Sequence, residues 1–146
     1  MFAAEIIAVG RMKDGPFSPL WQEYAARLGP ALTLHEIVPR KAAEEELKIL
    51  EKIDSRAFLF VLDERGKTLT SQAFAKKIET LCAQGTGRFQ FLVGGADGLS
   101  DSLRQKADCL LSFGAQTWPH MLARVMLAEQ IYRARQIITG HPYHRE

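Results

Sequence analysis

Residues 89–98 read Phe-Gln-Phe-Leu-Val-Gly-Gly-Ala-Asp-Gly, and this run decides the fold class. Phe89–Val93 shows no clean alternation of polar and apolar residues. Such a run reads as a strand covered on both faces, as strands of parallel sheets are. It passes directly into a glycine-rich turn, Gly94–Gly98, where backbone can approach a ligand closely and adopt positive φ. Ser100 is then placed to cap a helix over 101–107. Strand, glycine turn and helix follow one another, but the spacing is not GxGxxG and names no dinucleotide. From the local pattern alone, a ligand loop and a plain strand-to-helix turn are equally open.

Working outward, the same alternation continues in both directions. Toward the N-terminus, Ser71–Cys82 predicts a helix with Phe74, Ile78 and Leu81 as its inner edge. Phe58–Leu62 predicts a continuously apolar strand, followed by a loop over 63–67. Lys41–Arg56 predicts an exposed amphipathic helix, and Leu34–Val38 a strand closed by Pro39. Phe17–Leu28 carries Leu20, Trp21, Tyr24 and Leu28 at helical spacing, with Ser18 and Pro19 at its start. Glu5–Gly10 is a first short strand. Toward the C-terminus, Leu110–Phe113 predicts a fifth strand, and a last helix starts at Pro119 and ends before Gly140. The βα rhythm implies an α/β fold with a mostly parallel sheet flanked by helices, in a single domain over residues 1–146. Ligands of such sheets bind beyond the carboxyl ends of strands. The places to search are therefore just after Leu62, Val93 and Phe113.

Composition narrows the class. Of the 146 residues, 47% are apolar, which excludes a chain disordered throughout. No run of about 18 apolar residues could span a membrane. The formal charge of +2 neither names nor excludes a nucleic-acid binder, because a local patch matters more than the sum. Cys82 and Cys109 have no CxxC spacing and read as free thiols of a reducing compartment. The first ten residues have no basic leader and read as a strand, so a cytoplasmic location is expected.

Several motifs fail when tested. Gly66-Lys67-Thr68 resembles the end of a P-loop, but Val61 stands where the pattern requires glycine. His141 and His144 form HxxH without a cysteine or third histidine nearby, so no metal is expected. His35 reads as incidental on a strand, and His120 as packing or capping at a helix start. Arg124, Arg133, Arg135 and Arg145 gather toward the C-terminus among Tyr132, His141, Tyr143 and His144. Cations hold phosphates, and aromatic faces stack unpaired bases. Glu129 and Arg133, four apart on a helix, can also pair with each other.

Three stretches together carry a resemblance: residues 91–100 (FLVGGADGLS), 111–120 (LSFGAQTWPH), and 123–134 (ARVMLAEQIYRA) followed by 140–145 (GHPYHR). In this order the chain resembles the bacterial RlmH family, small SPOUT-class methyltransferases of ribosomal RNA. The strand Ile6–Gly10 and the ending Val61-Leu62-Asp63 also fit. The resemblance implies a SPOUT α/β knot, in which a C-terminal trefoil shapes a pocket for S-adenosyl-L-methionine. It implies a homodimer and methylation of N3 of a pseudouridine in helix 69 of 23S rRNA, on the assembled 70S ribosome. Carried over by position, the cofactor residues are Leu62, Gly94, Phe113, Gly114, Ala115, Gln116, Thr117 and Trp118, with backbone contacts carrying much of the second run.

The implied reaction needs an activated methyl aligned with a nitrogen that loses its proton. Glu129, His141 and His144 are candidate bases, and Arg124 and Arg133 candidate stabilisers of the developing anion. Of these, Arg124, Glu129 and His144 are expected to be catalytic, with Arg133, His141, Tyr143 and Arg145 as RNA contacts. The alternatives are a SPOUT methyltransferase of tRNA or another rRNA base, a non-catalytic ribosome-associated factor, and a flavin or nicotinamide protein.

Overall fold

The protein is described from a computed structural model over residues 1–145. Five strands form one parallel sheet: β1 (Ala3–Val9), β2 (Leu32–Ile37), β3 (Phe58–Thr68), β4 (Arg88–Val93) and β5 (Cys109–Ser112). The order across the sheet is β2-β1-β4-β3-β5, and every strand pairing is parallel. Between them run α1 (Ser18–Leu28), α2 (Ala42–Lys52), α3 (Ser71–Ala83), α4 (Asp101–Gln105) and α5 (His120–Ile138).

The pleat sorts the strand residues onto two cores. Ile6 and Ala8 of β1, Phe60 of β3, and Phe89 and Phe91 of β4 face α1, α3 and α5, where they meet Leu28, Phe74, Ile78, Leu127 and Ile131. Ile7 and Val9, Leu59 and Val61, and Leu92 face the other way, onto Ile49 of α2 and Leu103 of α4. Successive strand side chains point to opposite faces, so a run apolar at every position is what a doubly covered sheet requires. Phe60 and Phe91 are register partners and stack at 4.9 Å with planes 3° apart. Gln90 is the polar residue among the buried residues of β4, and it is fully buried. Its amide closes the end of α2: Nε2 donates to the Lys52 carbonyl at 2.7 Å, and Oε1 accepts from Asp54 N at 2.9 Å. A buried amide satisfied in this way costs little.

The strand ends of β1, β2 and β5 shift by one or two residues from the sequence reading, and other boundaries differ in kind. The stretch 63–67, expected as a loop, is part of β3. Leu62 and Lys67 both pair with Leu111, so the intervening residues bulge out and the strand then rejoins. Polar composition hid the strand, while Gly66 makes the close approach possible. The helix expected over 41–56 stops at Lys52, because Ile53 turns extended and Asp54 is held by Gln90. The helix expected over 101–107 is a short one ending at Gln105. Pro119 sits just outside α5 as its cap, with φ −54° and ψ 131°, rather than in the first turn.

At the amino edge of the sheet a polar network crosses three strands. Arg88 of β4 bridges Glu5 of β1 and Asp54, each at 2.6 Å. His35 of β2 meets Glu5 at 3.2 Å, so it is tied into this network rather than incidental. Burial pushes the Glu5 pKa up, but the hydrogen bonds from Arg88 and His35 outweigh it and leave the carboxyl below its ordinary value. Hydrogen bonds from Arg56 and Arg88 hold Asp54 far below the usual carboxylate range.

Candidate cofactor cleft and C-terminal cluster

At the opposite, carboxyl edge, β4 and β3 end side by side, with β5 beyond. The segments leaving them surround a cleft of about 720 Å³. Leu62, Gly94, Phe113, Gly114, Gln116, Thr117 and Trp118 all line it; Ala115 lies in the same loop but does not face the cleft. The loop 113–119 is held by its own hydrogen bonds. Gly114 adopts φ +111°, a conformation that disfavours any side chain. The Ser112 hydroxyl accepts from Gly114 N at 3.0 Å, and Trp118 Nε1 donates to the Phe113 carbonyl at 3.2 Å. Gly94 is needed for packing: a Cβ there would stand 2.9 Å from Leu99 Cγ.

Sequence reasoning missed part of the lining. Asp63, Glu64 and Arg65 from the β3 bulge, Arg104 from α4, and His120 from α5 also face the cleft. The three bulge residues come just after Leu62, where the carboxyl-end rule points, although the sequence reading names none of them as lining. Asp63 accepts from Arg65 N at 2.9 Å and Nε at 3.1 Å, and Arg104 approaches it at 3.7 Å. Burial raises the Asp63 pKa, but the Arg65 hydrogen bonds lower it further, so it is held as a carboxylate. Arg104 also binds the Leu99 carbonyl and Asp101, which ties the glycine turn to the β3 bulge.

A second cluster joins α5 to the C-terminal segment. Glu129 Oε1 takes Arg133 Nη2 at 2.7 Å and Nε at 2.9 Å, and the Tyr143 hydroxyl donates to it at 3.1 Å. Gln130 Nε2 donates to Glu129 Oε2 at 2.7 Å. Arg133 Nη1 lies 3.0 Å from His144 Nδ1. A guanidinium only donates, so Nδ1 accepts and the proton of a neutral His144 ring sits on Nε2. The Arg133 guanidinium lies 4.8 Å from the Tyr143 ring centre, and Tyr132 meets Tyr143 edge-on at 4.9 Å. Arg27 of α1, which the sequence reading passed over, lies over both Tyr132 and Tyr143. Burial first, and then the Glu129 carboxylate, push the Tyr143 phenol up to about 12, so it stays a donor.

Cleft and cluster are neighbours. A second, largely apolar cavity of about 610 Å³ is lined by Tyr24, Phe74, Met126 and Glu129, and also by Phe113 and Gly114. Phe113 and Gly114 therefore border both cavities. His141 and Arg145 are exposed near the end of the chain. Arg124 stands apart from the cluster: it is buried on the inner side of α5, paired with Glu36 at 2.7 Å. Among the described residues, no helix is long and apolar enough to cross a membrane.

Known proteins match this chain in sequence and in fold. A relative from Rhodospirillum centenum, called ribosomal RNA large subunit methyltransferase H, is 52% identical, covering 96% of this chain and 97% of its own. One of the same name from Rhodopseudomonas palustris is 46% identical with the same coverage. Among solved structures, a probable methyltransferase from Bordetella pertussis aligns with TM-score 0.61 and 15% identity, over 91% of this chain and 94% of that one. The SpoU methyltransferase AviRb from Streptomyces viridochromogenes, solved with AdoMet, aligns with TM-score 0.51 and 16% identity, over 95% of this chain and 62% of that one. These two likenesses speak to the fold. The model of the family described as predicted SPOUT methyltransferase matches residues 2–144, nearly the full length, and the chain belongs to that family.

Proposed function

We propose that this chain transfers a methyl group from S-adenosyl-L-methionine to 23S ribosomal RNA, at N3 of a pseudouridine in helix 69 of the assembled 70S ribosome. The observation that carries the reading is the cleft beyond β3, β4 and β5, lined by seven of the eight positions that the family resemblance assigns to the cofactor, all but Ala115. High-identity relatives named for large-subunit rRNA methylation support the substrate class. The cleft's volume lies within the range of roughly 300–1,000 Å³ usual for small-molecule sites. Its glycine-shaped walls offer backbone groups at Gly94 and Gly114, which suits a ligand with many polar atoms.

S-adenosyl-L-methionine supplies an electrophilic methyl on a sulfonium. The protein's task is then alignment and proton removal. Leu62, Phe113 and Trp118 give apolar walls, and Gly94, Gly114, Gln116 and Thr117 give polar backbone and side-chain contacts. Across the 113–114 backbone, Arg133 is the cation that stabilises negative charge developing on the target base as N3 loses its proton. Glu129 orients Arg133 and is the basic group beside it, while His144, accepting through Nδ1, holds the same guanidinium from its other side. Tyr143, His141 and Arg145 contact RNA by stacking and charge.

A homodimer and the C-terminal trefoil knot belong to the same proposal. A small domain with a charge of only +2 has limited surface for reading naked RNA, so recognition of the ribosome's shape around the target is expected. Transfer of labelled methyl groups to 70S ribosomes lacking the modification, set beside naked 23S fragments, tests this. Fast transfer to 70S and little to fragments is expected. Equal rates on both would refute recognition of the assembled particle.

A further inference from the structure

Arg124 is the largest fully buried side chain among the described residues. Removing a guanidinium from water is costly unless its hydrogen bonds are met by partners of good geometry. Its partners say what it holds. Nη1 binds Glu36 Oε2 at 2.7 Å, at the carboxyl end of β2. Nη2 binds the Gly10 carbonyl at 2.9 Å and approaches the Val9 carbonyl at 3.4 Å, at the carboxyl end of β1. The same Glu36 oxygen accepts from Met12 N at 2.7 Å. One guanidinium on α5 thus fastens the ends of two adjacent strands and the turn that leaves β1.

The fastened elements lead directly to the cleft. Pro119, His120 and Ala123 line it, and Ala123 precedes Arg124 in sequence. Gly10 adopts φ +96°, and a Cβ there would stand 3.3 Å from Met121 Cε and 3.6 Å from His120 Nε2. The first turn of α5 therefore lies against the same Gly10 whose carbonyl Arg124 holds. Pro119 makes no side-chain cap, so the first turn lacks the hydrogen bond that commonly fixes a helix start.

We infer that Arg124 is a positioning residue: with Glu36 it locks the first turn of α5 over the ends of β1 and β2, and so sets the His120–Ala123 wall of the cofactor cleft. This rests on the cleft being the cofactor site. It separates Arg124 from Arg133, whose guanidinium sits in the Glu129–Tyr143–His144 cluster. The guanidinium is buried while Glu36 is exposed, so the pair anchors the inner side of α5 to a carboxylate at the rim of the sheet.

The test uses the full chain with Arg124→Lys and Glu36→Gln. S-adenosylhomocysteine affinity is measured by calorimetry, kcat and KM on 70S ribosomes, and amide exchange by mass spectrometry. Both variants are expected to bind S-adenosylhomocysteine roughly tenfold more weakly and to raise KM for the methyl donor, with kcat at saturation within about threefold of wild type. Amide protection should fall over 10–12 and 119–124 and stay unchanged in β4. If Arg124→Lys does not fold, Glu36→Gln carries the test alone. A fall of a hundredfold in kcat with unaltered affinity would overturn the inference and return Arg124 to the chemistry. Lower melting temperature with unaltered affinity, kinetics and exchange would overturn it too, leaving the pair merely structural. Wild-type protein that fails to bind S-adenosylhomocysteine would refute the cofactor reading instead, while the exchange measurement would still decide whether the lock exists.

Discussion

At Gly66 there is no room for a side chain. A Cβ would stand 2.6 Å from both the carbonyl carbon and the oxygen of Leu110, so β3 could not close on β5 after its bulge. Gly66→Ala should cost about 2 kcal/mol or more by denaturant unfolding, within the range of overpacked sites. Gly87, with nothing within 4 Å of an added Cβ, is the control, and Gly87→Ala should be neutral or slightly stabilising. Little or no loss at Gly66 would mean that the pairing is looser than described. Glu129 gives the residue-scale test of chemistry. Glu129→Gln preserves shape and loses the charge that orients Arg133, so kcat should fall by about a hundredfold or more with S-adenosylhomocysteine affinity unchanged. Individual residues were unevenly legible. The pairing of Glu129 with Arg133 was visible as an i, i+4 spacing. The burial of Arg124 was not: an arginine reads as a surface residue until the strand ends that enclose it, 88 to 115 positions away in sequence, are known.

Among the elements, the amino-edge network makes the sharpest prediction. Glu5 and Asp54 both titrate lower folded than their ordinary values. Their stabilisation is therefore fully present above the unfolded carboxyl range near ~4 and is lost as pH falls through the folded values. Arg88→Met removes a donor common to both carboxylates, which raises their folded pKa values. The acid-unfolding midpoint, followed by circular dichroism, should then move to higher pH, while the variant's behaviour near neutrality stays two-state. A midpoint that stays put would show that Arg88 adds nothing to the network. The central strands were readable because burial on both faces leaves an apolar run with few interruptions, as in Phe58–Leu62 and Phe89–Val93. The continuation of β3 through 63–68 was not. Its polar residues bulge into the cleft, and the pairing that defines it is a tertiary approach enabled by one glycine. The lengths of α2 and α4 were misjudged for a related reason: Gln90, from a distant strand, ends α2, and α4 stops within two turns.

For the whole molecule, the carboxyl edge of the sheet gathers the residues proposed for the chemistry, and the amino edge carries the Glu5–Arg88–Asp54 network. The expected direction of the site followed from topology alone, since parallel strands place their ligands beyond their carboxyl ends. The identity of the ligand did not: the Gly94–Gly98 turn fits several ligands, and the order of motifs along the chain was needed to select one. The neighbourhood of cleft and C-terminal cluster is likewise a property of the folded whole, created where residues 113–114 border both cavities. The central claim is that this edge methylates one nitrogen of ribosomal RNA. The most direct test is to incubate the protein with labelled S-adenosyl-L-methionine and 70S ribosomes lacking the modification, then map the labelled nucleoside by mass spectrometry. Label is expected at N3 of a pseudouridine in helix 69. Label on another nucleoside, or none while S-adenosylhomocysteine still binds, would contradict it.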